Sequence, residues 1–203
     1  MNDVTKIPFS LAEMQLIKSA DVFLTKKKAF DNVRLYLTLL QADIATAIKK
    51  DDGLSLITKE FNHGKISFGE SYQYMPYQVS DFPAKFSKED IFTVRCLVWW
   101  GNEVSIHFLL KGSFYKKYSE SLKINLPLLP VGFYGCVANS PWEHHFDPNN
   151  YKPLDASFLN NTAGFCKIGK KYALGILTKG REEIVDDVIL LLKLLIKDQL
   201  PKR

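Results

Sequence analysis

The sequence predicts a single α+β domain in which N-terminal and C-terminal helices pack against a central antiparallel sheet. Apolar residues recur at helical spacing in the first third of the chain and again near its end, whereas the region between alternates with a period of two and is rich in turn residues. The 203 residues, 46% hydrophobic and 24% charged, have the composition of one folded domain. This composition excludes a disordered, collagenous or rod-like protein.

The helices are predicted from their caps and from the spacing of their apolar residues. Ser10 and Glu13 form a capping-box pattern, which begins a helix over residues 11–20. Residues 26–50 and 181–200 form two longer helices, because each segment repeats apolar side chains at spacings of three and four. A helix with such a stripe must bury it, so we expect these two helices to pack against each other and against the sheet.

A β-hairpin around Gly101-Asn102 is the clearest element of the predicted sheet. Residues 91–100 and 103–111 are strand-like, and a Gly-Asn dipeptide suits a two-residue turn. That turn would place Cys96 opposite His107. The other side of the hairpin would be almost wholly apolar, as a central strand pair requires. Its members would be Leu97, Trp99, Val104, Ile106, Phe108 and Leu110, with Arg95 as the one charged residue.

The remaining elements complete an antiparallel sheet. Strands are predicted at residues 65–68, 73–79 and 132–138, and a pair at 164–167 and 171–177 is joined around Gly169. A short basic helix is predicted from residue 113 to about residue 123. Residues 139–161 lack periodicity, and long irregular segments inside compact domains are often functional.

Cysteine usage and hydropathy predict a cytoplasmic protein. Cys96, Cys136 and Cys166 are odd in number, far apart and embedded in apolar stretches, which is typical of buried free thiols in a reducing compartment. Residues 1–9 have no basic segment followed by an apolar one, so no secretory signal is expected. The longest apolar run, residues 188–196, is interrupted by Lys193 and is far too short to span a membrane.

Basic residues are concentrated in one segment. The net charge of +5 is mild, but residues 165–181 hold five cations and no acidic residue. The five are Lys167, Lys170, Lys171, Lys179 and Arg181. This cluster could bind phosphates, nucleic acid or another polyanion. The alternative is a solvated hairpin whose lysines protect a sheet edge, and we favour it.

Several common enzyme classes lack their sequence markers. The chain contains no GxxxxGK[ST], GxGxxG, HExxH, GxSxG or CxxC pattern. Phosphate loops, dinucleotide folds, zincins, α/β-hydrolases and thiol redox centres are therefore not indicated. We predict no cofactor and no metal.

One segment carries a resemblance to a known family. It contains Pro76-Tyr77, Asp81-Phe82-Pro83, Phe86, Asp90-Ile91-Phe92, Arg95 and Trp99-Trp100-Gly101. This pattern resembles a family of small bacterial proteins of uncharacterised function, over residues 70–112. The resemblance implies no activity, cofactor or catalytic residue.

Reactive side chains are concentrated in the segment PWEHHFDP, residues 141–148. Glu143, His144 and His145, with His107 from the hairpin, are candidates for metal binding or general acid-base catalysis. Two adjacent histidines do not readily converge on one metal, so a polar loop anchored by Trp142 and Phe146 is the favoured alternative. Cys96 and His107 would form a thiolate-imidazole pair only if they are cross-strand neighbours.

Aromatic side chains supply a further candidate surface. Tyrosine and tryptophan combine apolar area with one polar group, so together with lysines they could stack on bases, sugars or a peptide. The alternative is that these aromatics belong to the core. The candidate binding residues are Tyr74, Tyr77, Trp100, Trp142, Lys167, Lys170 and Lys171.

Three functions follow from these patterns. The favoured one is a non-enzymatic domain that binds an unknown small molecule or protein through the sheet and the segment 139–161. The second is an enzyme of unrecognised type that uses Glu143, His144 and His145. The third is a nucleic-acid or polyanion binder that uses the basic cluster from Lys167 to Arg181. No membrane partner is expected.

Overall fold

The computed structural model describes residues 7–61, 63–155, 158–161 and 164–196, which contain five α-helices and seven β-strands. The helices are α1 (Leu11–Lys18), α2 (Ala20–Lys49), α3 (Asp52–Thr58), α4 (Ser113–Asn125) and α5 (Glu182–Lys193). The strands are β1 (His63–Tyr72), β2 (Met75–Phe86), β3 (Ile91–Trp99), β4 (Glu103–Lys111), β5 (Tyr134–Cys136), β6 (Tyr151–Pro153) and β7 (Phe165–Ala173).

The strands form one antiparallel sheet in the order β1-β2-β3-β4-β7-β5-β6. The hairpin of β3 and β4 therefore lies at the centre, as the sequence predicted. Helices from both ends of the chain flank the sheet, so the α+β fold class is also confirmed.

The register of the central hairpin differs from the prediction by one residue. β3 and β4 are joined by three residues, 100–102, because Trp99 pairs with Glu103. Gly101 adopts a φ of +75°, which favours glycine. Arg95, and not Cys96, is therefore the partner of His107. The predicted core side is correct for β4 but wrong for β3. The buried helix-facing residues of β3 are Phe92, Val94, Cys96 and Val98.

β7 replaces the two strands predicted around Gly169. It is continuous and pairs with β4 along its length, with Gly169 opposite His107. A Cβ atom at position 169 would lie 2.9 Å from the Phe146 ring and 3.0 Å from the His107 ring. The glycine thus permits close packing of a loop on the sheet, and it does not mark a turn.

The predicted helices are present with different bounds. α1 has the predicted capping box, in which the Glu13 N–H donates to Ser10 Oγ at 3.2 Å. α2 begins at Ala20, earlier than expected. Asp51 caps the unpredicted helix α3 by accepting the Leu54 N–H at 3.1 Å. α5 ends at Lys193, and residues 197–200 of the predicted helix lie outside the described residues.

The helices cover one face of the sheet. α2 contacts β1, β2 and α5, while α4 and α5 contact β4, so the two long helices pack together as predicted. Leu37 and Leu40 of α2 and Leu191 and Leu192 of α5 are completely buried in this core. The inner apolar stripes of α2 and α5 are therefore buried within the domain.

Two sequence-based expectations are met by burial and helix length. Cys96, Cys136 and Cys166 are free and buried. Within the part of the chain that the structure describes, every helix is too short or too polar to cross a bilayer.

Candidate functional site

A row of polar side chains crosses the face of the sheet that the helices leave uncovered. Asp81 pairs with Arg95 between β2 and β3, and Arg95 pairs with His107 between β3 and β4. Lys167 of β7 is two residues from Gly169, the partner of His107, so it points to the same face. All of these polar side chains are largely buried.

An Ω loop, residues 137–150, covers this row. Its ends meet where the Val137 N–H donates to the Asn150 carbonyl at 2.8 Å, and the loop connects β5 to β6. Phe146 packs on the sheet beside Tyr151, with ring centroids 4.4 Å apart. The segment that the sequence singled out, residues 141–148, lies within this loop.

Arg95 joins the sheet to the loop. Its guanidinium makes a bidentate pair with Asp81, at 2.8 Å from Nε and 2.9 Å from Nη2. Its remaining nitrogen, Nη1, lies 3.0 Å from Nε2 of His144. Two charge-assisted bonds thus fix the guanidinium, which in turn holds a loop histidine.

Lys167 holds the loop through three contacts, and its surroundings determine its protonation state. Nζ lies 2.8 Å from the Pro141 carbonyl oxygen, contacts the Glu143 carbonyl oxygen, and lies 3.0 Å from Nδ1 of His144. A guanidinium only donates, so His144 Nε2 accepts from Arg95 and the imidazole proton lies on Nδ1. Nδ1–H then donates to Lys167, which accepts only as a neutral amine. The amine keeps two hydrogens for the two carbonyl groups.

Burial favours the same protonation states. Desolvation lowers the pKa of Lys167 to about 7, and the neighbouring Arg95 charge also lowers it. Desolvation lowers the pKa of His144 from its ordinary value, and the charge of Arg95 also lowers it. The buried row therefore contains one charged pair, Asp81 with Arg95, next to a neutral histidine and a lysine that is neutral above about pH 7.

His107 lies beneath the loop, and both of its ring nitrogens are hydrogen-bonded. Tyr151 donates its hydroxyl to the Glu143 carbonyl at 3.1 Å, so it accepts from His107 Nδ1–H at 3.0 Å. Nε2 then accepts from Ser105 Oγ at 2.9 Å. Burial lowers the pKa of His107 well below its ordinary value, so the ring is neutral.

His145 lies at the far end of the loop. Its Nδ1 is 2.8 Å from the Tyr72 hydroxyl and its Nε2 is 2.7 Å from the Asn150 amide nitrogen. The same tyrosine oxygen accepts the backbone N–H groups of His144 and His145 at 2.7 and 3.1 Å. Tyr72 therefore attaches the loop to the end of β1.

The outer surface of the loop carries different groups. Trp142 is 46% exposed, lies over the Arg95 guanidinium at 5.3 Å, and is stacked beside Phe86 at 6.5 Å between ring centroids. Glu143 is also exposed on its side-chain carboxylate, 3.7 Å from His145 Nδ1. Two shallow cavities of about 320 and 360 Å³ flank His145 and Asn150.

The other predicted binding residues are dispersed. Tyr74 is 91% exposed at the β1–β2 turn, whereas Tyr77 packs on Gly69. Trp100 lines a separate apolar cavity of about 220 Å³ between α2 and the end of β3. The structure does not bring these three residues to the loop surface beside Trp142.

The basic cluster is split by the sheet. Lys167 and Lys171 lie on the loop face, and Lys171 is 3.9 Å from Glu103. Lys170 lies on the helix face, where it pairs with Asp187 at 2.6 Å, and Arg181 pairs with Asp43 at 2.6 Å. These cations therefore do not form one continuous basic surface.

The thiolate-imidazole hypothesis is wrong. Cys96 and His107 lie on opposite faces of the sheet because of the three-residue turn. Burial raises the pKa of the Cys96 thiol to about 12, so it stays protonated.

Sequence reasoning missed several residues of the site, namely Asp81, Ser105, Tyr151 and Asn150. Arg95 was the available signal, because a charge within a central apolar strand requires a buried partner. Its partner on β2 depends on strand register, which no local pattern specifies.

Comparisons of the chain with protein-family models, with curated proteins and with solved structures find no match. Among the described residues, no three His, Cys, Asp or Glu side chains are grouped so that they could hold a metal ion.

Proposed function

We propose that this chain is a non-enzymatic binding domain that recognises a protein or small-molecule partner through the outer surface of the Ω loop. One observation carries the proposal. Each ring nitrogen of His107, His144 and His145 lies within 3.0 Å of a protein group. A general base must have a nitrogen within reach of the substrate proton, so these histidines are better suited to holding the loop.

The anchored loop suits recognition. A loop that is already fixed loses little conformational entropy when it binds, which favours affinity. Its exposed Trp142 rests on a buried arginine, and tryptophan and arginine are the residue types that most often dominate binding energy at interfaces. Phe86 extends the same aromatic surface.

A cellular location is proposed from the cysteines alone. Three free, buried thiols support a reducing compartment, and we propose the cytoplasm. The resemblance to uncharacterised bacterial proteins stays a prediction.

Fluorine NMR on protein labelled with 5-fluorotryptophan tests the recognition surface directly. The chain has three tryptophans, and Trp99, Trp100 and Trp142 occupy three different environments. A bacterial extract is divided by ultrafiltration into macromolecules and small molecules, and each fraction is titrated against the protein. We expect one fraction to shift or broaden the Trp142 resonance while the Trp100 resonance stays unchanged.

Variants and product analysis separate this proposal from its alternatives. Trp142→Ala should abolish binding of the active fraction, whereas Tyr74→Ala, which removes a more exposed aromatic ring elsewhere, should retain it. A response confined to Trp100, or no response to either fraction, would overturn the proposed surface. If the Tyr74→Ala protein consumes a component of the extract and the His145→Ala protein does not, the non-enzymatic assignment would be overturned.

A further inference from the structure

The outer side of α2 carries an exposed stripe that no part of the described chain covers. Its members follow spacings of three and four along the helix and all are exposed, and they are Asp21, Leu24, Lys28, Asp31, Leu35, Thr38 and Ala42. Leu24 is 68% exposed and Leu35 is 57% exposed. The inner residues Leu37, Leu40 and Ile44 fill the core on the opposite side. The outer leucines are therefore not part of this domain's packing.

The stripe has the heptad spacing of a two-helix contact, in which residues at alternating intervals of three and four face a partner helix. Helices pair in this way when their apolar residues meet and their charges match. Leu24 and Leu35 lie at the two ends of a segment whose centre holds Lys28 and Asp31. This arrangement is symmetric in type: leucine, charge, charge, leucine.

We propose that α2 pairs with α2 of a second copy of this chain, antiparallel and about a two-fold axis between residues 29 and 30. This axis places Leu24 opposite the second copy's residue 35, and Lys28 opposite its residue 31. A two-fold interface requires that residue i meets j and j meets i. The stripe satisfies that condition, because each copy's Leu24 meets a leucine and each copy's Lys28 meets an aspartate.

Charge distribution favours a second copy over a membrane as the occupant. Lys28 and Asp31, of opposite sign, lie in the middle of the stripe, and Asp31 also pairs with Lys27 on the same helix. A helix that lies on a bilayer keeps its charges on the polar side, away from the buried stripe. Two antiparallel copies instead bring each lysine to an aspartate.

The helix α1 and the first turn of α2 also expose apolar side chains. α1 has no buried residue, and Leu16, Ile17 and Phe23 are each about half exposed.

Sedimentation measurements over a range of protein concentrations test the dimer. The wild-type chain should show a concentration-dependent dimer. Asp31→Lys should raise the dissociation constant by about tenfold or more, because two lysine pairs then face each other. Lys28→Asp combined with Asp31→Lys should restore the dimer. Glu89→Lys, the same charge reversal outside α2, should leave it unchanged.

Disulfide cross-linking tests the antiparallel arrangement. Leu24→Cys and Leu35→Cys chains are prepared separately and then mixed. The mixture should cross-link, whereas either variant alone should not, because equivalent positions are offset along the axis by about 16 Å, more than twice the reach of a disulfide.

Three results would overturn the proposal. The first is a wild-type chain that stays monomeric at all concentrations, whether or not it binds anionic lipid vesicles or another protein. The second is a dimer that Asp31→Lys does not weaken. The third is cross-linking of either single variant as readily as of the mixture.

Discussion

Replacing Lys167 with methionine should lower the free energy of unfolding by about 3 kcal/mol at about pH 10, where deprotonation of the lysine costs little in the unfolded chain as well. Methionine fills a similar volume but has no donor hydrogen, so the carbonyl groups of Pro141 and Glu143 lose their donor, and the Nδ1–H of His144 exchanges an amine for a weak sulfur acceptor. A buried polar group left without a partner costs about 1–3 kcal/mol, and relaxation of the loop toward water offsets part of the total. Urea denaturation measures the change.

A matched control lies on the same strand and the same face. The Lys171 side chain is 45% exposed, and its ion pair with Glu103 is long, at 3.9 Å. Lys171→Met should therefore lower the free energy of unfolding by less than about 1 kcal/mol. Amide hydrogen exchange should accelerate in residues 137–150 of Lys167→Met and not of Lys171→Met. Equal destabilisation by the two substitutions would contradict the anchoring role of Lys167.

Leu192→Ala should lower the free energy of unfolding by about 2–5 kcal/mol, since it leaves a cavity in the helical core. Leu192 is completely buried on α5, which contacts both α2 and β4. A loss of this size is a large part of the total stability of a domain, about 5–15 kcal/mol. The urea midpoint should therefore fall markedly.

Leu56→Ala is the control for the core substitution, because Leu56 is 76% exposed on α3 and should contribute little. Sedimentation separates packing within the domain from an interface. Because Leu192 lies in the core, Leu192→Ala should lower the free energy of unfolding without changing the association state. Dissociation of a wild-type dimer by this substitution, with unchanged stability of the monomer, would contradict the packing described above.

The sequence predicted the elements whose signals are local. The capping box of Ser10 and Glu13, the apolar stripes of the long helices and the strand pair at the centre of the sheet all follow from periodicity and short-range chemistry. Features that depend on one residue of register were not predictable. Gly101-Asn102 suits a two-residue turn, but Trp100 also belongs to the loop, and this one residue exchanges the faces of β3.

Gly169 and the histidines show why the site was harder to predict than the fold. A glycine between two basic, β-rich runs indicates a turn locally, yet its role is to admit Phe146 from a distant loop. Likewise, Glu143, His144 and His145 have the composition of a catalytic segment. The ring nitrogens of His144 and His145 are hydrogen-bonded to Arg95, Lys167, Tyr72 and Asn150. The first three of these partners are distant in the sequence, and Asn150 belongs to no recognisable pattern.

The neutral lysine has a defined consequence for stability. Its pKa is about 7 in the folded chain and near 10.5 in the unfolded chain. Between these values the unfolded state binds more protons, so the contribution of Lys167 to the unfolding free energy rises with pH, by up to about 1.4 kcal/mol per unit. Below about pH 7 the amine is protonated in both states, and this pH-dependent gain is absent.

NMR titration of the lysine amino groups tests the anchoring of the Ω loop most directly. The chain is labelled with ¹⁵N at lysine Nζ, and Lys167→Met identifies the Lys167 resonance. We predict that Lys167 Nζ changes from ammonium to amine near pH 7, well below the ordinary lysine value of 10.5. A Lys167 resonance that stays an ammonium up to about pH 10 would contradict the hydrogen-bond assignment of Arg95, His144 and Lys167, and with it the account of how the loop is held.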